Sequence, residues 1–149
     1  MTEFIYEAAD EAATDRFGAK LAAAIEPGTT IALLGTLGAG KTRLVQAFAA
    51  AYGISREEIV SPTFVLCQSY LGSLTIHHLD AYRIRDVDEF RELGVEELFA
   101  SNAIVVIEWA DRVAEALPDD YVQVEIEVTG PTARRFVVRT VGAAKIGQL

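Results

Sequence analysis

Hydrophobic residues along this chain follow two spacings, one typical of helices and one typical of β-strands. Between Asp10 and Ile25 they recur every four positions, which predicts a helix with one buried face. Between residues 122 and 128 they alternate with polar residues, which predicts a strand with one face in water. The apolar run 104–107 is typical of a strand buried on both faces, and the run 30–34 is compatible with a strand.

Further elements complete an α/β pattern. Two β-like runs, 65–70 and 74–79, surround a Gly turn, and the strand 122–128 turns back at Gly130-Pro131, so both pairs predict antiparallel hairpins. The first hairpin stands where an all-parallel sheet needs a helical crossover, which predicts a mixed sheet. We therefore predict one α/β domain over residues 1–149, with a mixed, mostly parallel central sheet flanked by helices and with antiparallel hairpins.

Composition and charge limit the kinds of molecule that this protein is expected to bind. The 149 residues carry a formal net charge of −9, from 13 basic and 22 acidic side chains. Because a direct grip on nucleic acid needs a basic face, direct binding to tRNA or DNA is not expected. No apolar run reaches membrane-spanning length, and no charged-then-apolar leader stands at the N-terminus. We expect a soluble, cytoplasmic protein.

The strand 30–34 leads into Gly35-Thr36-Leu37-Gly38-Ala39-Gly40-Lys41-Thr42, which we call the glycine loop. It matches the P-loop pattern, Gly, four residues, Gly-Lys-Thr, between a strand and a helix. Its glycines let N–H groups turn toward phosphate oxygens, and the helix N-terminus adds a positive partial charge. Lys41 offers a cation for the outer phosphates and Thr42 a hydroxyl for Mg²⁺. A P-loop NTPase fold is predicted, with the nucleotide held by Gly38, Ala39, Gly40, Lys41, Thr42 and Arg43.

Two carboxylates are candidates for the chemistry. Hydrolysis or transfer needs a carboxylate that holds the metal and a group that positions the nucleophile. Glu108 follows the buried run 104–107, where a carboxylate can hold Mg²⁺ directly or through water. Asp80 follows the second strand of the first hairpin, where it can orient a water molecule, although a solvated turn explains it equally well. Metal binding is therefore predicted for Thr42 and Glu108, and Asp80, Glu108 and Lys41 are the candidates for catalysis, with both interpretations of Asp80 open.

Four further segments near these carboxylates each allow two interpretations. Ser61-Pro62-Thr63 fits a switch-type loop and fits a plain turn about as well. His78 can form hydrogen bonds in the site or be a satisfied structural histidine. Tyr82-Arg83 can hold phosphate or a partner, or only pack and pair. For Trp109, beside Glu108, core packing at a helix start is the simpler reading.

Taken together, these segments resemble one family, the bacterial TsaE (YjeE) proteins. The resemblance covers about residues 5–140 and is carried by Leu37–Thr42, Ser61–Phe64, His78-x-Asp80-x-Tyr82-Arg83, Glu92-Leu93-Gly94 and Ile107-Glu108-Trp109. One departure is Thr36, where most members are expected to have Asp. This departure bears on any side-chain role at that position and leaves the backbone cradle unaffected.

The resemblance implies a function and a set of roles. It implies a weak, Mg²⁺-dependent ATPase of tRNA threonylcarbamoyladenosine (t6A) biosynthesis that depends on its partners TsaD and TsaB. Under this reading Lys41 holds phosphates, Thr42 and Glu108 serve Mg²⁺, Asp80 is a catalytic or metal-associated carboxylate, and Thr14 contacts the adenine.

Two other functions remain open from the sequence. One is a small-molecule P-loop kinase with Asp80 as general base, although a chain this short offers little room for an acceptor pocket and a lid. The other is a binding module in which ATP only stabilises an interface and hydrolysis is not required.

Overall fold

A computed structural model describes residues 3–36, 38–59 and 66–149 of the chain. Its strands form one sheet of seven in the order β1-β7-β6-β2-β5-β4-β3. The strands are β1 (Glu3–Ala8), β2 (Thr30–Leu34), β3 (Cys67–Leu71), β4 (Thr75–Asp80), β5 (Ile104–Glu108), β6 (Tyr121–Val128) and β7 (Arg134–Val141).

Parallel pairs join the four central strands, β6, β2, β5 and β4, and antiparallel pairs form both margins. Both predicted hairpins are present, as β3–β4 and β6–β7. The predicted fold class is therefore confirmed. That the whole chain is a single domain stays a prediction.

Within the described ranges, four α-helices and two 3-10 helices connect the strands. The α-helices are α1 (Glu11–Ala24), α2 (Lys41–Ala50), α3 (Val87–Arg91) and α4 (Val95–Phe99), and the 3-10 helices are Arg56–Glu58 and Ala110–Ala116. Helix α1 begins where the Asp10 carboxylate accepts a hydrogen bond from the Ala13 N–H at 2.8 Å. Ser55 and Glu58 form the capping box that their spacing predicts. No helix in the described ranges is long and apolar enough to cross a bilayer.

The sheet has a hydrophobic layer on each face because successive side chains of a strand point to opposite sides. On β2, Ile31 and Leu33 join the layer that α1 and α2 cover, whereas Ala32 joins the layer beneath α3 and α4. All five residues of β5 are buried, as its apolar run predicts. The buried central strands therefore fix the positions of the residues at their carboxyl ends.

Candidate nucleotide site

Three parallel strands end at one edge of the sheet and place the candidate residues there. In the ladder, Glu108 of β5 pairs with Leu33 of β2 on one side and with Asp80 of β4 on the other. Glycine-loop residues begin directly after β2. Ligands of open α/β sheets bind at such carboxyl ends. The structure therefore brings Lys41, Asp80 and Glu108 together from three separate segments.

The glycine loop closes in a conformation that its glycines permit. Gly38 and Gly40 have φ angles of 78° and 98°, in the left-handed region that other residues rarely occupy. Gly40 is the N-cap of α2 and has no side chain over the helix end. The N-terminal N–H groups of α2 therefore stay free of a side-chain cap, as a phosphate site at a helix N-terminus requires. Leu37 lies outside the described residues.

Lys41 is the first residue of α2, and its ammonium group turns back over the loop. Its Nζ donates hydrogen bonds to the carbonyl oxygens of Gly35 and Thr36, at 2.6 and 3.0 Å. The same atom lies 4.3 Å from the centre of the Trp109 ring, a cation–π distance. Lys41 is only 7% exposed. These partners of the Lys41 ammonium group are uncharged, so an anion can replace them.

The carboxylates around Lys41 act on its pKa. Burial lowers the pKa of Lys41, and the negative charges of Glu108, Asp80 and Asp111 oppose this by favouring the cation. Asp111, in the exposed first turn of the following 3-10 helix, was not singled out from the sequence. These charges attract the ammonium group without forming an ion pair with it, so the cation remains available at the mouth of the site.

Glu108 is buried and held by a histidine. His78 Nε2 lies 2.5 Å from Glu108 Oε2, and the side chains are 0% and 4% exposed. The other ring nitrogen of His78, Nδ1, is buried with no hydrogen-bond partner in the described part of the chain. His78 precedes Asp80 by two positions on β4, so both face the same side of the sheet. Of its two readings, the structure supports a hydrogen bond within the site.

Asp80 is half-buried at the end of β4. One of its oxygens, Oδ1, accepts a hydrogen bond from the Tyr82 N–H at 2.9 Å. Burial raises the pKa of Asp80, and the charge of Glu108 adds to this, whereas the Tyr82 N–H, His78 and Lys41 lower it. The result is a carboxylate fixed in direction beside a second carboxylate and a cation. That is the arrangement required of a group that orients a nucleophile.

Trp109 has an unusual backbone. Its φ of 58° places it in the left-handed region, which costs a residue with a side chain of order 1–3 kcal/mol. Its ring contacts the Lys41 ammonium group and the Tyr82 ring, whose centre is 4.9 Å away. It also packs against the core below α3 and α4. Trp109 therefore packs against the core at the start of the 3-10 helix and also contacts Lys41 of the candidate site.

Three further predicted nucleotide contacts, Arg43, Thr14 and Thr42, lie on α1 and α2. The Arg43 guanidinium forms ion pairs with Glu11 and Asp15 of α1, at 2.6 and 2.9 Å. Thr14 is buried within α1. Thr42 is half-buried in the first turn of α2, beside Lys41. The segment Ser61–Phe64, predicted to be a switch-type loop or a turn, lies outside the described residues.

The residues present fit a magnesium ion that a nucleotide helps to hold. Among residues 3–36, 38–59 and 66–149, no group of three or more His, Cys, Asp and Glu side chains can hold a metal by itself. Mg²⁺ usually binds through one or two carboxylates together with water and substrate phosphates. Glu108, Asp80 and the Thr42 hydroxyl beside the glycine loop supply such a partial set.

Known proteins resemble this chain over most of its length. A sequence model of the family described as "Threonylcarbamoyl adenosine biosynthesis protein TsaE" matches residues 8–136. The tRNA threonylcarbamoyladenosine biosynthesis protein TsaE of Treponema pallidum is 38% identical over 125 residues, which cover 84% of this chain and 92% of that protein. Its counterpart in Bacillus subtilis is 39% identical over 126 residues, covering 83% and 78%.

A solved structure agrees with the sequence comparisons. The crystal structure of YdiB from Bacillus subtilis superposes with a TM-score of 0.78 at 29% identity, covering 95% of this chain and 87% of that one. The chain therefore belongs to the TsaE family of threonylcarbamoyl adenosine biosynthesis proteins.

Proposed function

We propose that this protein binds and hydrolyses ATP as an accessory subunit of t6A biosynthesis, and that it acts on a complex of TsaD and TsaB. One observation carries the proposal: the ammonium group of Lys41, buried at the end of the glycine loop, is held by two carbonyl oxygens and lies within the influence of the Asp80 and Glu108 charges. The relatives named as tRNA threonylcarbamoyladenosine biosynthesis proteins support the pathway.

Binding of ATP begins with the backbone. The N–H groups at the start of α2 point at the phosphates, and the Lys41 ammonium exchanges the carbonyls of Gly35 and Thr36 for phosphate oxygens. This exchange is favourable because an ammonium–phosphate contact is charge-assisted, whereas the contacts to carbonyls involve only one charge. We further propose that Thr14 contacts the adenine, and that Arg43 contributes through its backbone, since its guanidinium binds α1.

Hydrolysis then depends on the two carboxylates. Glu108, held by His78, and the Thr42 hydroxyl would hold Mg²⁺, which when bound neutralises charge on the phosphate oxygens. Asp80, held by the Tyr82 N–H, orients the water that attacks the γ-phosphorus while the bond to the bridging oxygen breaks. Weak turnover of the isolated protein is expected if contact with the partners completes this geometry.

The charge balance fits a subunit that acts on proteins. A net charge of −9 is unfavourable for tracking a phosphate backbone, so the tRNA is held by the partners. The place of action is proposed to be the cytoplasm, where tRNA is modified by this complex.

The test is Mg²⁺-dependent ATP hydrolysis by the purified protein, alone and with TsaD and TsaB, with Lys41→Ala as the blank. We expect strong stimulation by the pair and loss of the stimulated activity in Asp80→Asn. If tRNA modification needs Lys41 but proceeds at the parent level with Asp80→Asn, ATP acts as a binding cofactor. Phosphorylation of a free metabolite by this chain alone would instead favour a kinase.

A further inference from the structure

Arg134, the first residue of β7, contacts the glycine loop through its guanidinium group. Its Nε donates a hydrogen bond to the carbonyl oxygen of Ala39 at 2.8 Å, and its Nη2 reaches that of Gly38 at 3.4 Å. The third nitrogen, Nη1, donates to the carbonyl oxygens of Gly130 and Ala133, at 3.0 and 2.8 Å. One guanidinium thus joins the loop to the β6–β7 turn, 95 residues further along the chain.

The partners of Arg134 set it apart from the other arginines of β7. Arg135 and Arg139 bind carboxylates of the neighbouring strands. In the described part of the chain, the contacts of Arg134 are all to neutral carbonyl oxygens. No carboxylate among the described residues forms an ion pair with Arg134, and its guanidinium lies against the loop that is proposed to hold phosphates.

The contact with Ala39 also fixes an N–H group. The carbonyl of Ala39 and the N–H of Gly40 belong to one planar peptide unit, in which they point in opposite directions. Because the guanidinium holds that oxygen, the Gly40 N–H is directed away from Arg134. Gly40 has a φ of 98° and no side chain that could hold this orientation itself.

We propose that Arg134 is a positioning residue for the nucleotide phosphates. It preorganises the Gly40 N–H and adds a fixed positive charge beside the loop. The inference rests on the proposed function, since it deepens the same site. Without Arg134 the loop folds but samples other peptide orientations, so phosphate binding has to order it.

The test compares Arg134→Met with Arg135→Met, a matched change at the next residue, by calorimetric titration with Mg·ATP. We expect about ten-fold weaker binding for Arg134→Met, the size expected for one hydrogen bond from a charged donor, and parental binding for Arg135→Met. Arg134→Lys should be intermediate, because an ammonium keeps the charge but loses the planar fork. With TsaD and TsaB present, Arg134→Met should raise KM and leave kcat within about two-fold of the parent.

Three outcomes would overturn the inference. One is parental affinity of Arg134→Met while Lys41→Ala loses binding, in which case the proposed function stands and only the role of Arg134 fails. The second is a fall in thermal unfolding temperature and kcat that Arg134→Lys does not rescue, which indicates a general structural role. The third is no binding by the parent protein, which would remove the proposed function as well.

Discussion

Two regions of the molecule carry clustered charges, and they differ in where those charges lie. At the ends of β2, β4 and β5, Lys41, His78 and Glu108 are buried. Across β1, β7 and β6, Arg135 and Arg139 bind carboxylates of the adjacent strands with side chains 33–57% exposed. The first region keeps ionisable groups out of water, whereas the second leaves them in it.

This difference in burial distinguishes the candidate site from an ordinary protein surface. Burying charge is costly, and a buried pair is often no more stabilising than apolar residues of the same volume. Exposed pairs cost little and contribute about 0–1 kcal/mol each. The buried cluster is therefore not explained by stability, and we assign it to nucleotide chemistry. The ion pairs across β1, β7 and β6 are exposed and are typical of an ordinary protein surface.

The largest expected effect is on turnover at Glu108. Glu108→Gln keeps the shape of the side chain but removes the charge that is proposed to serve Mg²⁺, so stimulated ATP hydrolysis should fall about 100-fold or more. Binding of ATP should remain measurable. Steady-state hydrolysis with TsaD and TsaB, alongside calorimetry, measures both, and parental turnover would remove Glu108 from the catalytic residues.

A smaller effect is expected at the histidine behind Glu108. His78→Ala removes the hydrogen bond that orients the carboxylate, so the Mg²⁺ concentration for half-maximal hydrolysis should rise about ten-fold. His77→Ala is the matched control, because that ring is on the opposite face and bonds to the Ser69 hydroxyl at 2.7 Å. Equal magnesium dependence of the two variants would show that His78 does not position Glu108.

The smallest effect is expected in the exposed region. Arg139→Ala removes contacts to Glu3 and Glu125, at 2.7 and 3.7 Å, and should lower the free energy of unfolding by less than about 1 kcal/mol. Nucleotide binding should be unchanged. Urea unfolding of the two proteins measures the difference, and a loss of several kcal/mol would show that the outer charges are more than a solvated ladder.

Local patterns were enough to predict most of the elements and the strand ends at which Asp80 and Glu108 lie. The alternation at 122–128 and the four-residue spacing of α1 are confirmed because each reflects burial of one face. The meeting of Asp80 and Glu108 follows from strand direction, since both end parallel strands. Which residues then contact a nucleotide or metal stays a prediction.

The contacts that sequence reasoning missed join distant segments. His78 and Glu108 are 30 residues apart, and nothing in their spacing indicates that they bond. Arg134 stands beside Arg135 in the sequence, yet one contacts carbonyls and the other carboxylates. Arg43 follows the glycine loop but is held by acids of α1, which no local signal predicts. The left-handed backbone of Trp109 has no sequence signature either.

The most direct measurement of the central claim is calorimetric titration of Mg·ATP into the parent protein, Lys41→Ala and Arg139→Ala. Both substitutions remove one cation, from the buried region and from the exposed region respectively. We predict saturable binding by the parent and by Arg139→Ala, and at least about 30-fold weaker binding by Lys41→Ala, because a buried charge contact is lost. Equal binding by Lys41→Ala and the parent, or no binding by the parent, would contradict the assignment of the buried cluster to a nucleotide.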